Sequence, residues 1–281
     1  MSVFHKVAEL LPAKESCGKL KLVAEIGTRD LSLLWYSGKG PEIHGMYLSY
    51  TDKTVTPEEI AEELRKLIHS HPSFSSKAAS TQIFVNTPES VLIPNDFFDT
   101  TSAKASIDLV YGESFDCEYL QEELKDVGLT VFSRYPSVFK KEIENFFPGA
   151  GIRHIHSALL SRENSRLDML ACSVHPEYLT LSLMSGQQLR LFRQINYRTP
   201  EDASYHLLNI CRQFSVSAEH IKLRLDGLLD RDSQLFKELH KYFGNLVFAN
   251  DPMVDLIHAE SLKSLPSHYY FKLIRLSACA S

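Results

Sequence analysis

The chain of 281 residues is 44% apolar and 23% charged, the balance of a globular protein long enough for two modest cores. Its net charge of −5 favours neither nucleic acid nor an anionic membrane surface, and no stretch approaches the ~20 apolar residues of a membrane span. Five scattered cysteines (Cys17, Cys117, Cys172, Cys211, Cys279) form no C-x-x-C pair, which disfavours disulfides and zinc ribbons and points to a reducing, cytoplasmic setting.

Residues 1–19 read as a loosely ordered lead-in with no signal-like apolar core. A meander follows: Leu20 to Ile26, a Gly27-Thr28 turn, Leu31 to Tyr36, the turn Ser37-Gly38-Lys39-Gly40, and Ile43 to Tyr50. Thr56-Pro57-Glu58-Glu59 then starts a helix. Thr suits the N-cap, Pro lacks only a donor the first turn does not need, and Glu59 can return a bond to the cap. Ile60, Leu64, Leu67 and Ile68 give that helix its apolar face. The strand Gln82 to Asn86 is expected to pair in parallel, because a whole helix separates it from the meander.

The same grammar recurs 148 residues later. Met169 to Val174, Tyr178 to Met184 and Leu189 to Ile195 form a second meander, Thr199-Pro200-Glu201-Asp202 starts a second helix, and His220 to Leu225 is its strand. Such repetition marks a duplicated unit. A further match, at a shift of 116, aligns Gly128-x-x-Val131-Phe132 with Gly244-x-x-Val247-Phe248, each after a Glu-Leu expected at a helix end (Glu123-Leu124, Glu238-Leu239) and each before a helix opening near Pro136 or Pro252. The change of shift implies an insertion of about thirty residues in the first copy, at 87–116. The units are therefore expected at 20–160 and 161–281.

The fold class is α/β, with each unit reading strand–strand–strand–helix–strand–helix–strand–helix around a mixed five-stranded sheet flanked by helices. That order resembles the ribonuclease H-like unit, and two in tandem resemble the actin-like ATPase architecture. The whole chain is similar to a bacterial family with an actin-like ATPase fold and no assigned activity, through patterns such as Val91-Leu92-Ile93-Pro94 with Phe97-Phe98. The resemblance implies an inter-unit cleft and, in active members, Mg-ATP as cofactor.

Three local devices hold the nucleotide in that fold. For the first, Asp-x-Gly-Thr/Ser, this chain has Glu25-Ile26-Gly27-Thr28, in which the longer Glu displaces a geometrically demanding Mg²⁺. For the second, the equivalent positions are Ser173, His175 and Pro176, with no glycine or aspartate, and Pro176 removes a backbone donor. For the third, Asp226-Gly227 stands where Gly-Gly is usual, with Asn250-Asp251-Pro252 downstream. His154-x-His156 and His69-x-His71 lack an acidic or cysteine partner at metal-site spacing and read as surface histidines. The expected function is that of a non-catalytic interaction or scaffolding module with no cofactor. Phe97 and Phe98 in the apolar insertion are its candidate anchors for a protein partner or a second copy, without nucleic acid or membrane insertion. The alternative is an ATP-binding enzyme or switch, using Glu25, Gly27, Thr28, Asp226 and Gly227 with Mg-ATP.

Overall fold

A computed structural model describes residues 4–38, 42–53, 55–74, 77–160, 168–250 and 265–280. Described residues up to 160, together with 273–280, form one compact unit; 168–250 and 265–272 form the other. The expected span of 161–281 for the second unit thus differs at its end, where the last helix passes into the first.

The first unit is built on a six-stranded sheet in the order β1-β4-β3-β2-β5-β9, from His5–Leu10 (β1), Glu42–Tyr50 (β4), Asp30–Ser37 (β3), Lys21–Gly27 (β2), Ser80–Asn86 (β5) and Gly151–His154 (β9). The meander pairs antiparallel, while β2–β5 and β5–β9 are parallel. Residues 5–10 are therefore no loose lead-in. They add a sixth strand antiparallel to β4, because the exposed edge of a meander offers an unpaired row of backbone groups that a nearby extended segment can satisfy. Cys17 ends a single helical turn, Lys14–Cys17 (α1).

The helix Pro57–Ser70 (α2) starts as its sequence dictates. Thr56 Oγ1 accepts the Glu59 N–H at 3.2 Å, and Glu59 Oε2 accepts the Thr56 N–H at 2.7 Å. Its apolar face, through Ile60 and Leu64, packs on Leu22, Leu33, Ile83 and Trp35, all essentially buried. A short helix, Ile155–Leu160 (α5), follows β9.

The second unit is a five-stranded sheet, β12-β11-β10-β13-β14, from Gln188–Asn196 (β12), Tyr178–Ser185 (β11), Met169–Val174 (β10), Lys222–Gly227 (β13) and Asn245–Phe248 (β14). Again the meander is antiparallel and the last two pairings are parallel. Pro200–Gln213 (α6) carries the same capping box, Thr199 with Asp202. It buries Ala203, Leu207 and Ile210 on Leu170, Leu181 and Leu223. Gln234–Leu239 (α7) crosses between β13 and β14, and Ser267–Cys279 (α8) closes the described chain. The duplication of meander, capped helix and parallel strand is thus present in both units.

The match at a shift of 116 is not. Glu123-Leu124 ends a strand, Cys117–Leu124 (β7), whereas Glu238-Leu239 ends helix α7. Leu129–Pro136 (β8) pairs in a separate three-stranded sheet, β6-β8-β7, with Ser90–Pro94 (β6), whereas β14 lies in the core sheet. The true counterpart of β14 is β9, parallel to β5 as β14 is to β13. Both misaligned segments start with glycine and enter an apolar strand, a pattern that turn chemistry alone imposes. Gly128 adopts φ +68°, the left-handed turn residue between β7 and β8. Pro252 lies outside the described residues, as do Lys39 and Gly40. The insertion consequently runs from Thr87 to Pro136 rather than stopping near residue 116, and the crossover helix Ser137–Phe146 (α4) follows it.

This insertion is a lobe with its own core. The helix Thr100–Tyr111 (α3), capped by Asp99, presents Ala103 and Ile107 to Phe132, with Val91, Ile93, Phe98 and Tyr119 around them. Arg134, 1% exposed, ties the lobe together: its guanidinium donates to Glu89, to Asp108 and to the Gly112 carbonyl. The lobe's root is held by two histidines. His154 Nε2 donates to Thr87 O (3.1 Å), its Nδ1 accepts the His156 N–H (3.3 Å), and Ser90 Oγ lies 2.6 Å from His156 Nδ1. Thr87 Oγ1 donates in turn to Arg134 O. His154 and His156 are therefore buried, not surface residues as expected; His69 and His71 are exposed. A histidine pair two apart along an exposed strand would face water, but β9 ends at His154 and the chain turns into α5.

Two predictions follow from this packing. Phe98→Ser should cost about 1–3 kcal/mol in chemical denaturation, since its ring packs 6.1 Å from Phe132, whereas Phe97→Ser should stay within about 0.5 kcal/mol because Phe97 is 79% exposed. The second concerns acid. Burial lowers the His154 pKa from 6.5 to about 4, and burial with the neighbouring His154 holds His156 well below its usual value. Protonation of His154 also requires Nδ1 to give up the His156 N–H, and Glu122, which accepts the His154 backbone N–H, is also engaged by Arg153. The unfolded chain therefore binds protons first. Stability should be flat above pH 6.5 and fall, by on the order of 3 kcal/mol, as pH drops toward about 4. His154→Gln with His156→Gln should flatten that fall in urea titrations at stepped pH.

Candidate functional site

The first hairpin turn joins β2 to β3, and β2 is flanked on its other side by β5. Such a central strand has its backbone claimed on both edges. Glu25 sits opposite Ser32 on β3 and Phe84 on β5, fully buried, and its Oε1 accepts from Asn86 Nδ2 at 2.7 Å. Asn86 Nδ2 also lies 3.5 Å from Asp30 Oδ2. The Thr28 N–H, the donor a phosphate-binding turn would present, is spent on Asn86 O at 3.2 Å. Gly27 is explained by the same seam, because a Cβ there would stand 2.9 Å from the Asn86 Cβ. The structure brings Glu25, Gly27 and Thr28 together around Asn86, a residue that sequence reasoning did not single out. Its signal was only its place at the end of a parallel strand beside the turn.

The second hairpin, between β10 and β11, is closed by its own groups. The His175 N–H donates to Tyr178 O at 3.0 Å, and the His175 ring stacks on Tyr178 with centroids 4.0 Å apart. Tyr197 donates its hydroxyl to His175 O and its N–H to Glu177 O. Ser173, the counterpart of Glu25, hydrogen-bonds the buried Asp226 directly across the parallel β10–β13 pair. That carboxylate and burial together push the neighbouring Cys172 thiol upward, burial contributing most. Gly227 follows at φ +90°, where a Cβ would meet Val174 O at 2.2 Å, so glycine here is demanded by close strand approach.

Beyond Gly227 the loop is pinned from α8. The His268 ring donates to Leu229 O at 2.7 Å and stacks on Phe248, and Tyr269 donates to Asp230 Oδ1 at 2.8 Å. Asp251 and Pro252 of the expected adenosine segment lie outside the described residues. Of the two candidate anchors, the structure separates Phe98, half-buried in the lobe core, from Phe97, which stands in solvent. Among the described residues no three His, Cys, Asp or Glu side chains converge as metal ligands.

Comparison with known proteins agrees with this architecture. A crystal structure from Bacteroides thetaiotaomicron VPI-5482, a protein with actin-like ATPase fold and unknown function, superposes with a TM-score of 0.73 at 16% identity, covering 88% of this chain and 98% of that one. The PilM–PilN type IV pilus biogenesis complex matches with a TM-score of 0.58 at 12% identity, over 93% of this chain and 98% of that chain. At these identities the likeness is one of fold, which is the actin-like ATPase fold. No curated protein matches the sequence. The DUF3822 family of proteins of unknown function matches residues 14–246, and the chain belongs to that family.

Proposed function

We propose that this protein is a non-catalytic member of the actin-like fold that works as an interaction or scaffolding module in the cytoplasm. The observation that carries the reading is the state of the two hairpin turns. Their backbone donors, Thr28 N–H and His175 N–H, already close bonds within their own sheets, and Pro176 has none to offer. A polyphosphate would have to break those bonds and would meet the carboxylate of Asp226, which makes Mg-ATP a poor fit to these residues. The interaction half of the reading is supported by the inserted lobe, which has a core of its own and no counterpart among the described residues of the second unit. The fold also admits protein partners elsewhere, as the PilM–PilN complex illustrates. Five cysteines outside any disulfide suit a reducing compartment, and no described helix is long and apolar enough to cross a membrane.

The alternative, an ATP-binding enzyme or switch, draws on the retained Gly27-Thr28 spacing and on Asp226-Gly227. Ligand linkage separates the two. A nucleotide at a hundred times its dissociation constant stabilises by ~2.7 kcal/mol. The expected result is no change in melting temperature with millimolar Mg-ATP, Mg-ADP or Mg-GTP. A dose-dependent rise would replace this reading with the alternative.

A further inference from the structure

Five of the seven large apolar side chains that stand exposed among the described residues belong to the lobe, and the other two are tyrosines, Tyr205 and Tyr242. Four of the five lie at the C-terminal end of α3 or in the turn after it: Leu109 is 88% exposed, Val110 63%, Tyr111 39% and Phe115 96%. Scattered surface leucines need no explanation, but these side chains fall within seven residues of one another. The helix has already buried what its own lobe can take, Ala103 and Ile107, so these groups have no fold to complete.

The surroundings of the cluster are acidic. Thr87 to Pro136 holds ten carboxylates against three cations, a net charge of −7 where the whole chain carries −5. The three cations do not offset it at this end of α3. Arg134 is buried against Glu89 and Asp108, Lys104 lies over the Tyr119 ring at 4.7 Å, and Lys125 stands at the far turn between β7 and β8. Glu113 and Asp116, which flank the Phe115 turn, are exposed and have no cation partner among the described residues.

Resting on the reading of an interaction module, we propose that the C-terminal end of α3, with Leu109, Val110 and Phe115 ringed by Glu113 and Asp116, docks a basic amphipathic segment of a partner protein. Apolar side chains of such a segment cover the exposed cluster while its Lys and Arg face the carboxylates. A second copy of this chain is a poor occupant, since two faces of the same −7 lobe repel. An anionic membrane surface is poor for the same reason.

The test is fluorescence anisotropy with a labelled helical peptide of leucine and lysine, apolar on one face, against the same peptide with serine for leucine. The intact protein should bind the first saturably, more weakly as salt is raised. Binding should fall at least about tenfold for the serine peptide, and likewise for Leu109→Ser with Phe115→Ser and for Glu113→Lys with Asp116→Lys. Unchanged melting temperatures keep both variants interpretable, as every altered side chain is exposed. Absent binding, or equal binding by wild type and variants, overturns the proposal. So does a dimer in light scattering that Leu109→Ser with Phe115→Ser disperses, or capture by phosphatidylcholine vesicles lost in that variant, since a second copy or lipid would then cover the face. A nucleotide-dependent melting shift sinks the broader reading whatever the peptide does. A null peptide result without such a shift ends only this inference.

Discussion

Satisfaction of the backbone where a hairpin turn meets a parallel neighbour is the constraint on which this structure depends. In both units the first strand of the meander is central, so its end must fit beside a strand that arrives by helical crossover. In the first unit Asn86 O takes the Thr28 N–H; in the second Val174 O takes the Leu228 N–H at 2.9 Å. The glycines at these seams, Gly27 and Gly227, permit approaches that a Cβ would block. A turn so anchored holds its sheet together. Each of these backbone groups has a partner within its own sheet, as buried backbone groups require.

The crossovers that create these seams are specified with little redundancy. A Thr-Pro-acidic start fixes where α2 and α6 begin, and an apolar face of one stripe fixes which side packs on the sheet. Each capping box contributes about 1 kcal/mol, small beside the burial of Leu64 or Leu207 but decisive for the phase of the helix. The lobe obeys a different logic. It hangs from the core through Thr87 and Arg134, and its internal order comes from one buried guanidinium shared between two carboxylates and a carbonyl. Breaking such a buried pair on one side only leaves an uncompensated charge, so the lobe is held as a unit.

The sequence by itself determined the duplicated plan. Period-two strands, paired capping boxes and glycine turns are local codes, and each reads the same in any tertiary context, which is why both meanders and both capped helices were legible. It also showed that the second turn lacks glycine and aspartate, a statement about composition that needs no coordinates. What it misassigned was decided by contacts between distant segments. Residues 5–10 look irregular alone and become a strand only beside the free edge of β4. The match of Gly128 to Gly244 followed turn chemistry rather than descent, and only strand pairing shows that β9, not β8, is the counterpart of β14. The burial of His154 and His156, the separation of Phe97 from Phe98, and the role of Asn86 likewise depend on which side of a packed layer each side chain meets. Local preference writes the elements; the choice of neighbour, made once the layers close, decides what each residue is for.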